Sequence, residues 1–380
     1  MEAFWIAGLL LIAVTAAYVL MTLWFGSRRL VKQAPVHQTK ELPFVSVVIT
    51  ARNEENTIRS CLEGILSQDY PHDRLEIVLS DDHSDDRTVE VASGIRNPLA
   101  GPEIRILTAG TGLPSGKKPA LARAIQEARG NLILATDADT SRGPGWVHAM
   151  VQEYLRSGKQ MILGPVCLKG NSIFQRIQQL EFLGVMGLTA GSAGAGTPIM
   201  CNGANLLYPK TTYLKAGGFD GHMKYSSGDD QFLLASVRKL SGRSAVAFAL
   251  REEAIVSTPA EDSISGFLHQ RMRWVSKSKG YRDPLVILSG GLAYLTSAFL
   301  LAFLVTGLFD ARAILLFLIC WGAKILADFA LIQPMARFFG NRNDLWLYLP
   351  AQLFQLIYVP LAGLAGLIFP YRWKGRRIRA

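Results

Sequence analysis

Cysteine is scarce in this 380-residue chain. The four present, Cys61, Cys167, Cys201 and Cys320, stand far apart with no paired spacing. That excludes a disulfide framework and a cysteine-built zinc site, and it suits a reducing compartment. Six histidines are present and none has metal-ligand spacing. No Gly-x-Gly-x-x-Gly fingerprint or P-loop follows the first strand-like run, so neither a dinucleotide enzyme nor a P-loop kinase fits. No basic, aromatic-interleaved surface motif appears, which argues against nucleic acid as a partner. Basic residues are also missing before the first apolar run, and that run is longer than the core of a cleaved signal peptide.

What the chain has in abundance is apolar sequence, 49% of residues, with a net charge of +10. The apolar residues concentrate at the two ends. Phe4–Phe25 is almost wholly apolar and uncharged. At 1.5 Å per residue it can cross a hydrocarbon core of roughly 30 Å. Arg28, Arg29 and Lys32 follow it, so the positive-inside rule places the following residues in the cytoplasm. Three more apolar stretches lie at 285–309, 313–336 and 345–370. If all three span, the tail ends outside, yet it carries Arg372, Lys374, Arg376, Arg377 and Arg379. One stretch is therefore expected to be re-entrant or interfacial. The first is the weakest candidate span because Gly290–Gly291 interrupts it, and Lys324 and Asp328 make the second polar too. The basic flanks fit attraction to anionic lipid headgroups.

Between the ends the pattern reads as α/β. Phe44–Thr50 is a β-branched run, and Thr57–Gln68 carries Ile58, Leu62, Ile65 and Leu66 at helical spacing. Leu75–Leu79, Ile104–Leu107 and Leu132–Ala135 read as further strands, and Thr88–Gly94 and Ala120–Ala128 as helices. This alternation predicts a mostly parallel sheet with covered faces. In such sheets ligands bind beyond the carboxyl ends of the strands. Three polar clusters fall there: Thr50–Asn53, Asp81–Asp82 and Asp137–Asp139.

Asp137-Ala138-Asp139 puts two carboxylates at a strand end, where a hard divalent ion such as Mg2+ or Mn2+ would satisfy them and bridge to phosphates. A solvated turn is the plainer reading of an isolated Asp-x-Asp. The surrounding residues form an ordered series: Val45–Thr50, Ala51-Arg52-Asn53-Glu54-Glu55, Ser67-Gln68-Asp69-Tyr70-Pro71 and Asp81-Asp82-His83-Ser84-Asp85-Asp86-Arg87-Thr88. The series continues with Gly116-Lys117, Asp137-Ala138-Asp139, Cys201-Asn202-Gly203-Ala204-Asn205 and Gly217-Gly218-Phe219-Asp220. It ends with Gly228-Asp229-Asp230 and Gln270-Arg271-Met272-Arg273-Trp274. Across roughly residues 44–283 this order and spacing resembles the family 2 glycosyltransferases.

The resemblance implies a GT-A fold, a nucleotide-sugar donor and inversion at the anomeric carbon. By it, Thr50, Arg52 and Glu54 line the nucleotide pocket, Asp82 accepts a hydrogen bond from the base beside its neighbour Asp81, and Lys117 lies near the diphosphate. Asp137 and Asp139 hold the metal. Asp230 is the general base, taking the acceptor hydroxyl proton from the face opposite the leaving group. The family usually has Glu-Asp here, whereas this chain has Asp229-Asp230, and one of the two acids is a candidate N-cap for a helix over Gln231–Leu240. The run Gln270-Arg271-Met272-Arg273-Trp274 matches the Gln-x-x-Arg-Trp signature, with Arg271 at a variable position; its two arginines, Arg271 and Arg273, can grip phosphate and Trp274 can support a sugar. A juxtamembrane basic helix is the alternative, given Lys277, Lys279 and Arg282. Phe182–Met200 is apolar and glycine-rich, either an interfacial element admitting a lipid or a buried helix and loop.

The expected layout is a transmembrane anchor at 1–27, a basic linker at 28–43, a cytoplasmic GT-A domain at 44–283, a membrane region at 284–370 and a basic tail at 371–380. The motif set resembles both ceramide glucosyltransferases and processive polysaccharide synthases. A lipid acceptor, a UDP-type donor and a bacterial inner membrane are expected. A processive synthase and a non-catalytic membrane scaffold are the alternatives. Three or four spans make a poor polysaccharide channel, and a scaffold should have lost acids that all remain here.

Overall fold

The computed structural model describes residues 2–28, 41–95, 101–110, 112–223, 225 and 227–378. In chain order the elements begin with α1 (Glu2–Ser27), β1 (Val45–Ala51), α2 (Ile58–Leu66), β2 (Leu75–Asp81), α3 (Thr88–Ser93) and β3 (Glu103–Leu107). Next come α4 (Lys117–Glu127), β4 (Leu132–Asp137), β5 (Ser141–Arg142), α5 (Trp146–Ser157), β6 (Met161–Leu163), β7 (Val166–Lys169) and α6 (Ile173–Gly194). Then β8 (Leu206–Pro209), α7 (Lys210–Lys215), α8 (Asp229–Ser241), β9 (Val246–Phe248), β10 (Val256–Pro259) and α9 (Ile264–Ser276) follow. The chain closes with α10 (Pro284–Thr306), α11 (Ala311–Phe338), α12 (Tyr348–Ile368), β11 (Tyr371–Trp373) and β12 (Arg376–Ile378). Two compact units interleave along this order, an α/β unit within residues 30–168 and 196–259 and a helical unit within 1–29, 169–195 and 260–380.

In the α/β unit a seven-stranded sheet has the order β3-β2-β1-β4-β8-β6-β9. β1 pairs in parallel with β2 and β4, whereas β8 runs antiparallel to β4 and β6. Val45, Val47, Val48 and Ile49 are wholly buried, as a central strand covered on both faces requires. One face is covered by Ile58, Cys61, Leu62 and Ile65 of α2 and by Trp146, Val147, Met150 and Val151 of α5. The register sets Ala51 beside Asp81 and Thr50 beside Asp137. Three side chains that the sequence assigns to one site are thereby lined up along a single sheet edge. The helix expected from Ala120 begins three residues earlier, at Lys117, so that lysine sits in a first helical turn.

Glu76 shows how this sheet handles a buried charge. Its side chain is fully enclosed beside Ser46, its cross-strand neighbour. Ser46 Oγ donates to it at 2.5 Å, the Arg129 amide at 2.5 Å and Arg129 Nε at 3.0 Å. Burial works against the charged carboxyl, but these bonds outweigh it and hold its pKa below the usual glutamate value.

In the helical unit α1, α10, α11 and a segment comprising α12 and the turn before it are long and apolar enough to cross a bilayer. Gly290 and Gly291 do not interrupt α10, which is continuous from its N-cap Asp283 to Thr306. In lipid the backbone has no water to bond, so even glycines remain helical. α1 and α11 run side by side in the same direction: Gly8 meets Leu316, Tyr18 bonds Asp328 and Gly26 meets Leu331. Lys324 and Asp328 form a buried polar knot. Lys324 Nζ donates to Asp328 Oδ2 at 2.6 Å, Gln352 Oε1 at 2.8 Å and Gln355 Oε1 at 2.6 Å. Asp328 also accepts from Tyr18 Oη at 2.7 Å and Gln352 Nε2 at 3.1 Å. Polar groups are tolerated in an apolar bundle when paired this way. The stretch Phe182–Met200 is resolved into the end of α6 and a following loop. α6 opens with a capping box of Ser172 and Gln175, and Gly184, Gly187 and Gly191 let it approach Ile332, Leu331 and Phe25 closely. Residues 169–195 and 260–283 belong to this unit, because the apolar faces of α6 and α9 pack on α11 and α12.

A carboxyl with a depressed folded pKa contributes stability above its unfolded value of about 4.3 and loses that contribution as pH falls through the folded value. The thermal midpoint of the full chain in nanodiscs should therefore drop with acidification below about pH 4.3. Glu76→Gln should start from a lower midpoint at neutral pH and show a shallower acid decline. An unchanged decline in the variant would remove Glu76 from the account.

Candidate active site

The site forms at the carboxyl edge of the sheet, entirely within the α/β unit. β4 ends at Asp137, which is half-exposed, as is Asp139 just beyond it. Lys117 Nζ donates to Asp137 Oδ1 at 2.6 Å and lies 3.8 Å from Asp229 Oδ2. Burial of this lysine would lower its pKa, but the carboxylates of Asp137, Asp229 and Asp230 reverse that and raise it well above the usual value. A pocket lined by Thr50, Lys117, Asp137, Gly203, Asp229 and Asp230, among others, brings these groups together.

Asp229 and Asp230 are the first two residues of α8. The N-cap is Gly228, at φ +87°, a left-handed conformation that glycine adopts without strain. Neither aspartate is the cap. Both lie in the first turn, where the unpaired N–H groups of the helix favour nearby anions. Asp229 is 6% exposed and faces Lys117, whereas Asp230 is half-exposed and its Oδ2 accepts from the Gly203 amide at 3.3 Å. The two adjacent acids are thus unequal, one enclosed and one half-exposed.

The neighbouring strand ends are tied together through the other expected residues. Arg52 donates to the carbonyls of Asp82, at 2.8 Å, and His83. Glu54 accepts from Thr57 Oγ1 at 2.8 Å, and its amide donates to Thr88 Oγ1 at 2.7 Å. Asp81 accepts from the Ser84 amide, and the buried Asp82 accepts from the Gly116 amide at 2.6 Å. Asp82 thereby links the end of β2 to the start of α4, where Lys117 sits. Asn53 and His83 take positive φ values of 53° and 57° in these loops.

Three contributors were not singled out from sequence. Lys118 is 2% exposed and donates to the carbonyls of Tyr225 and Ser227, the latter at 2.8 Å, with its ammonium 5.2 Å from the Phe232 ring. It anchors the loop leading into Asp229. The backbone amides of Gly116 and Gly203 hold Asp82 and Asp230. Adjacent lysines at a helix start look like a solvated face, and amides leave no trace in residue identity. The only signal for the amides was the glycine within Gly116-Lys117 and within Cys201–Asn205. Asn205 of that second motif is structural: fully buried, it donates to Pro165 and Ala254 carbonyls and accepts from Trp146 Nε1.

Among the described residues no three His, Cys, Asp or Glu side chains gather into a metal cluster. Asp137 and Asp139 would therefore supply two hard oxygen donors and leave the remaining positions to water or phosphate. That partial set fits Mg2+ or Mn2+ held jointly with a diphosphate.

The Gln270–Trp274 signature lies on α9, in the helical unit. Arg271 is buried there, ion-paired with Glu181, bonded to Gln270 Oε1 at 2.6 Å and 4.1 Å from the Trp274 ring. Burial would lower its pKa, and the Glu181 carboxylate more than offsets this. Gln270 Nε2 donates in turn to Glu261 at 3.1 Å. Arg273 is half-exposed and has no ion pair among the described residues, so within this motif it is the arginine whose fork is open.

Residues 46–223 match the family model described as glycosyl transferase family 2. The beta-monoglucosyldiacylglycerol synthase of Synechocystis sp. is 30% identical over 148 residues, 36% of this chain and 29% of that one. An N-acetylglucosaminyltransferase of Mesorhizobium japonicum is 27% identical over 270 residues, 67% of this chain and 60% of that one. Each match thus spans less than two thirds of the relative's own length. A mannosyltransferase of Pyrobaculum calidifontis, solved with GDP-mannose and Mn2+, superposes with a TM-score of 0.62 at 18% identity, covering 95% of this chain and 99% of that one. Residues 46–223 thus match the glycosyl transferase family 2 model, and the chain has the GT-A fold.

Proposed function

We propose that the chain is an inverting glycosyltransferase that moves a sugar from a nucleoside-diphosphate donor, UDP-type first among candidates, to a lipid acceptor at the cytoplasmic face of a bacterial inner membrane. The observation that carries this reading is the convergence of Lys117, Asp137, Asp229 and Asp230 in one pocket at the sheet's carboxyl edge. Thr50, Arg52, Glu54, Asp81 and Asp82 organise the nucleotide end of that edge. Asp137 and Asp139 would hold the divalent ion, which supplies positive charge to the diphosphate as it departs. Lys117 adds a second cation beside them.

The half-exposed aspartate, Asp230, takes the proton from the acceptor hydroxyl while that oxygen bonds to the anomeric carbon. The bond from that carbon to the diphosphate oxygen breaks, and the nucleoside diphosphate leaves with the electron pair. One displacement inverts the configuration. Arg273 and Trp274 are assigned to acceptor or phosphate contact. Four long apolar helices support a membrane-borne acceptor, and a relative named for glucosyldiacylglycerol synthesis supports a lipid one.

The direct test supplies UDP- and GDP-sugars to purified protein in native-lipid nanodiscs, with and without Mn2+. Metal-dependent transfer to an extractable lipid is expected, and Asp230→Asn should lower kcat about 100-fold or more. Intact donors throughout, with folded protein and lipid present, would favour a scaffold. Long polymeric product would favour a processive synthase.

Lys118→Met should act through the loop before Asp229. The expected result is a kcat about tenfold lower, with donor KM changed far less, because a displaced base spoils the reaction geometry and leaves the nucleotide contacts in place. A lower thermal midpoint with kcat retained would make Lys118 a purely structural residue.

A further inference from the structure

Within the helical unit, Phe4, Phe303 and Arg312 mark one end of the bundle: the two rings lie 6.1 Å apart, and Arg312 is 4.9 Å from the Phe4 ring. The opposite end is where α1 finishes, with Gly26 against Leu331, and where α10 begins at Pro284. α6 belongs to that second end, since Gly187 meets Leu331 and Gly191 meets Phe25.

α12 has the length and composition of a span, yet its contacts do not run from one end to the other. At its start, Tyr348 Oη donates to the Ile325 carbonyl at 2.6 Å and its ring lies 5.3 Å from Phe329. Ile325 lies about 21 Å along α11 from Ala311, at 1.5 Å per residue. Near its finish, Gly363 packs on the Tyr294 ring, and Tyr294 lies about 18 Å along α10 from Thr306. The two sites are thus at similar depth. A vertical helix would separate Tyr348 and Gly363 by about 22 Å of depth. Beyond them Gly366 packs on Met272 and Val275 of α9, just before α10 begins.

In the middle of α12, Leu356 joins the core cluster that holds Leu300 and Cys320, while the neighbouring side chains turn back toward α9 and α6. Phe354 and Tyr358 stack around Phe267 of α9 at 5.2 and 4.9 Å, Phe354 lies 5.9 Å from Phe174 of α6, and Tyr358 bonds Glu181. A second face, through Gln352 and Gln355, holds Lys324 of α11. The third face is an exposed apolar stripe of Leu349, Leu353, Ile357, Leu361, Leu364 and Ile368.

We infer that α12 does not cross the bilayer but stays within one leaflet, presenting that stripe to its acyl chains. α1, α10 and α11 are then the spans. The inference rests on the membrane reading and goes beyond the catalytic one. It also accounts for charge. β11 packs on α9, with Tyr371 buried, so Arg372, Lys374, Arg376 and Arg377 stay on the side of Lys277, Lys279 and Arg282. A fourth crossing would carry this basic hairpin to the other side, against the positive-inside rule. One of the three C-terminal stretches is expected from sequence to fall short of a span, the first being the weakest candidate; the inference assigns the third instead.

The test is labelling of full-length protein in sealed, oriented vesicles with a membrane-impermeant maleimide. All four native cysteines are buried, so single added cysteines report. Leu308→Cys marks the turn between α10 and α11, Arg342→Cys the segment before α12, and Arg377→Cys the tail. Detergent-solubilised samples calibrate full labelling. The expected result is that the cysteines at 342 and 377 label from one face and the cysteine at 308 from the opposite face. If position 377 labels with 308, opposite 342, α12 crosses and the inference fails. If all three label from one face, α10 and α11 do not cross, and the bundle reading beneath it fails instead.

Discussion

A single ammonium group among three carboxylates organises the candidate site. Asp137 is fixed by the register of β1 with β4, Asp229 and Asp230 by the start of α8, and Lys117 by the start of α4. These elements are distant in sequence, and each delivers a charged group to one pocket. Partly buried acids close together repel, and removing any one from water is costly unless a cation compensates. Lys117 is that cation within the chain. The supporting bonds serve the same arrangement: Asp82 on the Gly116 amide sets where α4 begins, and Lys118 on the loop carbonyls sets where α8 begins.

Much of this was legible in the sequence. The β-branched run at 44–50 is β1 shifted by one residue, and the acidic clusters at 81–82 and 137–139 do fall at strand ends. Those features depend on local pattern and on the burial of short strands. The inequality of Asp229 and Asp230 was not legible, because it depends on Gly228 taking a left-handed cap and on Gly203 approaching from another element. Lys118 was missed for a related reason. Its value lies in two carbonyl partners more than a hundred positions away, which no local pattern records.

The helical unit was legible in composition and less so in arrangement. Apolar runs gave the positions of α1, α10, α11 and α12 to within a few residues, because hydrophobic length is a local property. Gly290–Gly291 was a misleading sign, since glycine weakens helices in water far more than where the backbone has no other partner. The continuity of α6 was hidden by its glycines, which serve close packing against α1 and α11. Arg271 shows a comparable limit. Sequence places it beside Arg273 in one signature, while the structure spends its guanidinium on Glu181 and Gln270.

The account stands most directly on the Asp137 carboxylate as the place where metal and donor diphosphate meet. Calorimetric titration of UDP and GDP into the full chain in nanodiscs, with and without Mn2+, measures this without requiring the acceptor. One of the two nucleotides should bind in the presence of the ion, and at least about tenfold more weakly in its absence or in Asp137→Asn. Binding of equal strength with and without metal, and in the variant, would contradict the account at its centre.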